Sequence, residues 1–371
     1  MTSSVVGAPL VDWTAAAQIA ARVAPPGPTA SRDERAELVA GLRAAAAAAV
    51  PHVLRVTRMS PAAPALPDAP GAGSPALSQV FVVDRSRWTR ANTEVMASLT
   101  DGVADSFTLA GDKPVSATTA LVGAAQVGTV LAALSSRVLG QFDPYSGQGR
   151  GPGRLLLVAP NVLRLERDLD LVPADFRLWV CLHEQTHALQ FAAAPWLAQH
   201  LRSAARDLFE GLADSSRQLA EAPLRAKLST AGRVVLQAVR GHDGAVAHGL
   251  LTAGQKAALE EVSAVMALLE GHADVMMDAV GRATVPTVRR IRAQFEARRD
   301  GQGAGTLDTV LRRFLGMDAK LAQYRDGAAF VRGVEKQVGR DGLNAVWSTP
   351  AHLPSAREIA DPGAWVRRVH G

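Results

Sequence analysis

His183 and His187 stand four residues apart, and Glu184 directly follows the first, in Cys181-Leu182-His183-Glu184-Gln185-Thr186-His187. On a helix, residues four apart lie on one face, a turn apart. Both imidazoles can then reach one metal ion, and Zn²⁺ suits histidine nitrogen. Glu184 would sit beside a water on that ion, act on it as general base, and then hand the proton to the leaving group. Zinc lowers the pKa of such a water to about 7, so a carboxylate can finish the deprotonation at neutral pH. Phe176, Trp179 and Val180 precede the pair on or beside the same face. That turns the histidines into the protein and gives the ion a dry wall.

A catalytic zinc takes three protein ligands and keeps an open position. Leu269-Glu270-Gly271-His272-Ala273-Asp274 offers two candidates for the third ligand. On a helix Glu270 and Asp274 share a face, whereas His272 lies about 200° round from Glu270. Glu270 and His272 are therefore alternatives for one ion, and Glu270 is preferred over His272. Glu270 sits in an apolar stretch, where a bare carboxylate is costly. Gly271 would let two helices approach closely. If His272 is not a ligand it can face the cleft and stabilise an oxyanion, and Tyr324, one of two tyrosines, is another candidate. For each, a satisfied buried polar residue is at least as good a reading.

The elements that must position these groups are mostly helical. Val172-Pro173-Ala174-Asp175 starts the histidine helix, since proline fits a first turn. That helix should end before Pro195. Other helices are expected over 33–57, from Asp84 to about Leu99, and over 117–139, 196–220, 252–280, 285–299, 306–314 and 317–338. The 117–139 stretch is small and apolar throughout, which suits a buried helix. Residues 1–30 read as a loose lead-in, 60–78 as a Pro/Ala/Gly-rich linker and 141–153 as a loop. Phe81–Val83 is a short strand or a helix lead-in. Leu155–Ala159, followed by Pro160, is the best strand candidate. As a free edge it could pair with an extended substrate. The expected organisation is an N-terminal helical segment and linker over 1–78, then a catalytic domain over 79–371.

Composition narrows the function classes. Of 371 residues, 48% are hydrophobic and 20% charged, which suits a globular protein with a sizeable core. The net charge is +5, and all but five of the 40 basic residues are arginines spread along the chain. The Arg-Arg pairs read as solvated helix faces and not as a nucleic-acid footprint. Cys181 is the single cysteine, so no intrachain disulfide forms, and a reducing compartment is the natural setting. It reads as an inert buried thiol. No signal peptide is visible, and the apolar run around 44–50 is too short and Ala-rich to span a bilayer. A cytoplasmic protein without membrane or nucleic-acid partners is expected.

Five segments together carry a family resemblance: HEQTH (183–187), LLEGHADVMMDAVG (268–281), VVDRSRWTRAN (82–92), SSRVLGQFDPYSG (135–147) and GMDAKLAQYRDGAAFV (316–331). From about residue 80 onward the chain resembles the zincin-like predicted metallohydrolases of high-GC Gram-positive bacteria, a group labelled as associated with deazaflavin coenzyme biosynthesis. The resemblance implies a mainly α-helical zincin-like fold, with a small β element before the HExxH helix, and a metallopeptidase activity. His183, Glu184 and His187 carry over as its motif. Glu270, with Asp274 four residues on, matches the Glu-x-x-x-Asp pattern of gluzincins, which implies Glu270 as the third ligand and Asp274 as acceptor of an N–H bond from a ligand histidine. The expected function is a zinc-dependent hydrolase of a peptide or small amide bond. The alternative is a non-catalytic protein whose helices zinc staples through a closed four-ligand site.

Overall fold

Helices dominate the computed structural model, which describes residues 11–62, 76–100, 116–146, 153–221, 252–299 and 317–371, with side chains described to 208 in the seventh helix and from 326 in the tenth. In chain order the elements are α1 (Trp13–Val23), α2 (Arg32–Thr57), β1 (Gln79–Val83), α3 (Arg85–Thr100), α4 (Ala117–Ser135), β2 (Gly140–Asp143), β3 (Arg154–Val158), α5 (Ala159–Asp168), α6 (Pro173–Ala193) and α7 (Trp196–Glu221). They continue as α8 (Ala253–Val280), α9 (Val288–Arg299), α10 (Met317–Leu343), α11 (Ala356–Ala360) and α12 (Pro362–His370). The fold is mainly helical with one small sheet, as expected. The helix expected over 306–314 lies outside the described residues.

The sheet differs from the sequence expectation in two ways. Its order is β1-β3-β2, with β1 parallel and β2 antiparallel to β3. Leu155–Val158 is therefore paired on both sides and offers no free edge to a substrate. That edge belongs to β2, which occupies the start of what reads as a loop over 141–153. Its four residues show no strand pattern of their own and are ordered by pairing Gly140 through Asp143 with Leu157 through Arg154. Central position also explains the apolar run of β3, in which Leu155, Leu157 and Val158 are fully buried.

Two short helices escape a periodicity scan. The α5 helix starts straight after β3 with Pro160 in its first turn. The α1 helix lies inside the expected lead-in, capped by Asp12, whose carboxylate accepts the Ala15 N–H at 2.9 Å. It is held by packing on α4, where Gly128 sits against Ala16 and Ile19. The α4 helix buries Ala120, Ala124, Gly128 and Leu131 but leaves Leu121, Val122 and Val130 about half exposed. It is thus a one-sided surface helix. By length and composition alone, α2 and α4 are long and apolar enough to cross a membrane.

The main core is built around α6. On its back face Gln185 donates to the Ala46 carbonyl of α2 at 3.1 Å, and the Cys181 thiol faces the Leu42 carbonyl. Burial pushes that thiol up, so it stays protonated and inert, in line with its fully buried position. Arg177 makes a buried two-pronged ion pair with Glu166, at 2.8 and 3.0 Å. At the helix start Asp175 accepts the Thr287 N–H and hydroxyl, at 2.8 and 2.6 Å. These ties fix the rotation of α6 and hence the direction in which its histidines point. The helix ends at Ala193, before Pro195.

Candidate metal centre

Every four residues α6 returns to the same face, and that face reads Trp179, His183, His187, Phe191. The facing helix α8 repeats the device with Met266, Glu270, Asp274 and Asp278. All eight residues line one cleft of about 1110 Å³. The helices run antiparallel: His183 Nδ1 lies 3.2 Å from Met277 Sδ, while Gln190 Nε2 donates to the Leu269 carbonyl at 3.0 Å.

The two ladders meet at the histidines. His183 Nε2 and His187 Nε2 are 3.1 Å apart, and Glu270 Oε2 lies 3.3 and 3.6 Å from them. A tetrahedral zinc with bonds near 2.1 Å holds its ligand atoms roughly 3.4 Å apart, so this triangle has the size the ion requires. His183, His187 and Glu270 are the one group among the described residues in which three such donors converge. Burial alone would keep His187 neutral and Glu270 protonated. Their mutual attraction outweighs it: Glu270 lifts His187 to about 9, while His187 and His183 hold Glu270 well below the usual carboxylate range. The protein alone satisfies three donors here by an ion pair that a divalent cation would replace.

Glu184 is positioned from two sides. Its backbone belongs to α6, and its buried carboxylate accepts the Phe142 N–H from the outer edge of β2. Gly140 makes this approach possible, because a Cβ there would lie 2.6 Å from Glu184 Cγ and 2.7 Å from Oε1. Burial raises the affinity of Glu184 for a proton, with the two histidines opposing the rise. A carboxylate so tuned suits proton transfer.

Asp274 does not accept from a ligand histidine. It turns to Arg292 on α9, at 3.1 Å, and Arg292 also reaches Asp278 at 2.6 Å. The acceptor beside His187 is Gln190, whose Oε1 lies 2.9 Å from Nδ1. That bond fixes a proton on Nδ1 and turns Nε2 towards Glu270. The spacing alone could have pointed to Gln190, since it lies three residues from His187 on the same helix.

His272 is not in the cleft. Fully buried, it takes a bond from Gln190 Nε2 on Nδ1 at 3.0 Å and meets Trp347 edge to face. Burial drives it down to about 3, so it is a neutral core residue that steadies Gln190. An oxyanion role for it fails on position. The side chain of Tyr324 lies outside the described residues. The other tyrosine, Tyr145, lines the cleft. Gly271 does permit a close helix approach, but towards α10 and not α6: a Cβ there would collide with the backbone of Gly327 and Ala328.

No curated protein matches the chain. Among solved structures, a candidate hydrolase with a novel fold from Chloroflexus aurantiacus is 30% identical, with a TM-score of 0.64 over 97% of this chain and 99% of its own. A family model for zincin-like metallopeptidases matches residues 11–366. Nearly the whole sequence lies within that match, and its histidines and Glu270 form a site of the size a metal needs, so the chain belongs to the zincin-like metallopeptidase family.

Proposed function

We propose that this protein is a zinc-dependent hydrolase of a peptide or small amide bond, with His183, His187 and Glu270 as ligands and Glu184 as general base. The observation that carries the reading is the three-donor triangle on the wall of an open cleft, with the Glu184 carboxylate beside it. Three protein donors with room beside them are the mark of a catalytic site. Zinc held there supplies Lewis acidity for water and carbonyl groups near neutral pH.

The chain's own residues do the rest. Gln190 keeps the proton of His187 on Nδ1, so Nε2 stays available as a donor atom. Glu184 takes a proton from the attacking water and passes it to the leaving nitrogen. The Phe142 N–H bond holds that carboxylate in place beforehand. The walls formed by Trp179 and Phe191 limit bulk water along the α6 face. Gln141 and Phe142 at the edge of β2 line the cleft, where an extended substrate backbone can lie.

A structural zinc staple would need a fourth protein ligand. His272, the sequence candidate for it, lies fully buried outside the cleft and is held by Gln190. The test is Glu184→Gln in zinc-loaded protein against a broad amide and peptide library. Zinc content should be unchanged, while hydrolysis should fall by about 10²–10⁴-fold, the usual worth of a positioned acid–base group. A zinc-replete variant as fast as the wild type would falsify the assignment.

A further inference from the structure

The two ends of the cleft differ in chemistry. Along α6, Trp179 and Phe191 flank the histidines and stand about 18 Å apart on the helix axis. At the Trp179 end, Phe295 packs on the indole at 5.0 Å between ring centres. The chain Asp274–Arg292–Asp278–Arg332 closes that end with charges that already satisfy one another. At the Phe191 end the described lining is Phe142, Tyr145, Leu201 and Met266, with no ionised group among them. Phe142 and Phe191 pack at 5.5 Å, tilted by 38°.

The apolar end is braced by hydrogen bonds. The Asp143 carboxylate, buried behind it, accepts the Tyr145 N–H at 2.8 Å and Arg154 Nε at 2.7 Å. These bonds fix the turn that brings Tyr145 to the wall. Arg202 lies over the Tyr145 ring, 5.1 Å from its centre. Burial pushes the phenol up to about 12, so it adds no charge to the wall. Met266 is 42% exposed. The described wall is aromatic and apolar, one helical turn from the second histidine, and the Arg202 guanidinium is stacked on Tyr145 and not in the lining, so the wall does little to offset the desolvation of a bound charge. It favours a ligand with apolar surface that it can cover.

We propose that this end is the specificity pocket, and that the substrate carries a large apolar side chain, aromatic or leucine-like, on the residue beside the bond to be cut. Phe191 and Met266 are its determining residues. The assignment rests on the metal reading above, because the metal sets where the bond lies.

Binding of hydroxamates to zinc-loaded protein tests it without relying on turnover. Acetohydroxamate reports the open metal position alone. N-acetyl-phenylalanine hydroxamate should bind at least tenfold tighter than its glycine and aspartate counterparts by calorimetry. Phe191→Ala should remove most of that preference while changing acetohydroxamate affinity far less. Met266→Glu, at an exposed position that folding tolerates, should cut the phenylalanine preference severalfold on its own. Equal affinities for the three amino-acid hydroxamates, or a preference that survives both variants, overturn the pocket while leaving the metal reading intact. Failure of acetohydroxamate itself to bind would remove the open metal position, and the pocket assignment with it.

Discussion

Two layers of this molecule are built to different tolerances. In one, α8, which faces α6 across the cleft, packs on α10 so closely that glycine backbones touch, with Gly271 against Gly327 and Gly327 against Ala267. In the other, α1, α3 and α4 cover the sheet through a small cluster of Ala20, Val83, Trp88, Ala91, Leu131, Leu156 and Val158. That layer leaves Leu121, Val122 and Val130 exposed. The first layer supplies all three metal donors and Glu184, while the second supplies none of them. Backbone contact with α10 fixes where α8, and with it Glu270, stands opposite the α6 histidines more closely than side-chain packing alone would.

The contrast can be tested from its largest expected effect downward. Gly271→Ala should destabilise the protein by about 3 kcal/mol or more, the upper part of the overpacking range, since a helix backbone and not a side chain would have to move. Denaturant unfolding measures it, and a loss below about 1 kcal/mol would break the comparison at its root. Gln190→Ala should weaken zinc affinity about 10–100-fold, the usual effect of removing a group that orients a ligand histidine. Competition with a chelating dye reads that loss, and unchanged affinity would mean that His187 is oriented by other means.

The looser layer should respond far less. Gly128→Ala brings a Cβ to 2.9 Å from the Ala16 carbonyl oxygen and 3.0 Å from the Ile19 side chain. Part of that clash is offset by the gain of about 1 kcal/mol for alanine over glycine in a helix interior, so the net loss should stay under roughly 2 kcal/mol. If it matched Gly271→Ala, the two layers would be equally tight. Smallest of all, Leu121→Gln should change stability by no more than about 0.5 kcal/mol and leave zinc affinity unaltered. A larger loss would mean that the outer face of α4 is covered in solution.

Much of the site is legible in the amino-acid sequence. The pairing of His183 with His187, the adjacency of Glu184 and the shared face of Glu270 and Asp274 all follow from the helical repeat, a local property. The start of α6 at Pro173 and its end before Pro195 are equally local. What the repeat does not show is which element each face meets. Asp274 has the right spacing to support a ligand histidine, yet α9 brings Arg292 to it first. His272 has the chemistry of a ligand or catalyst, yet it lies buried against Trp347. Gly271 announces a close contact but does not name α10 as the partner.

The sheet marks the same boundary. Leu155–Val158 is readable as a strand because its apolar run is local, but its central position depends on β1 and β2, which lie far off in sequence or have no strand pattern. The Phe142 N–H meets Glu184 because that pairing turns the outer edge of β2 towards α6. By itself the sequence determined a helix face whose donors suit a metal ion and the chemistry of its residues, since both depend on spacing within one helix. Only the tertiary structure decided that Glu270 faces the two histidines, that Gln190 orients His187, and that one end of the cleft is apolar. Those outcomes depend on how separate helices cross, and crossing geometry is set by long-range packing that no local period encodes.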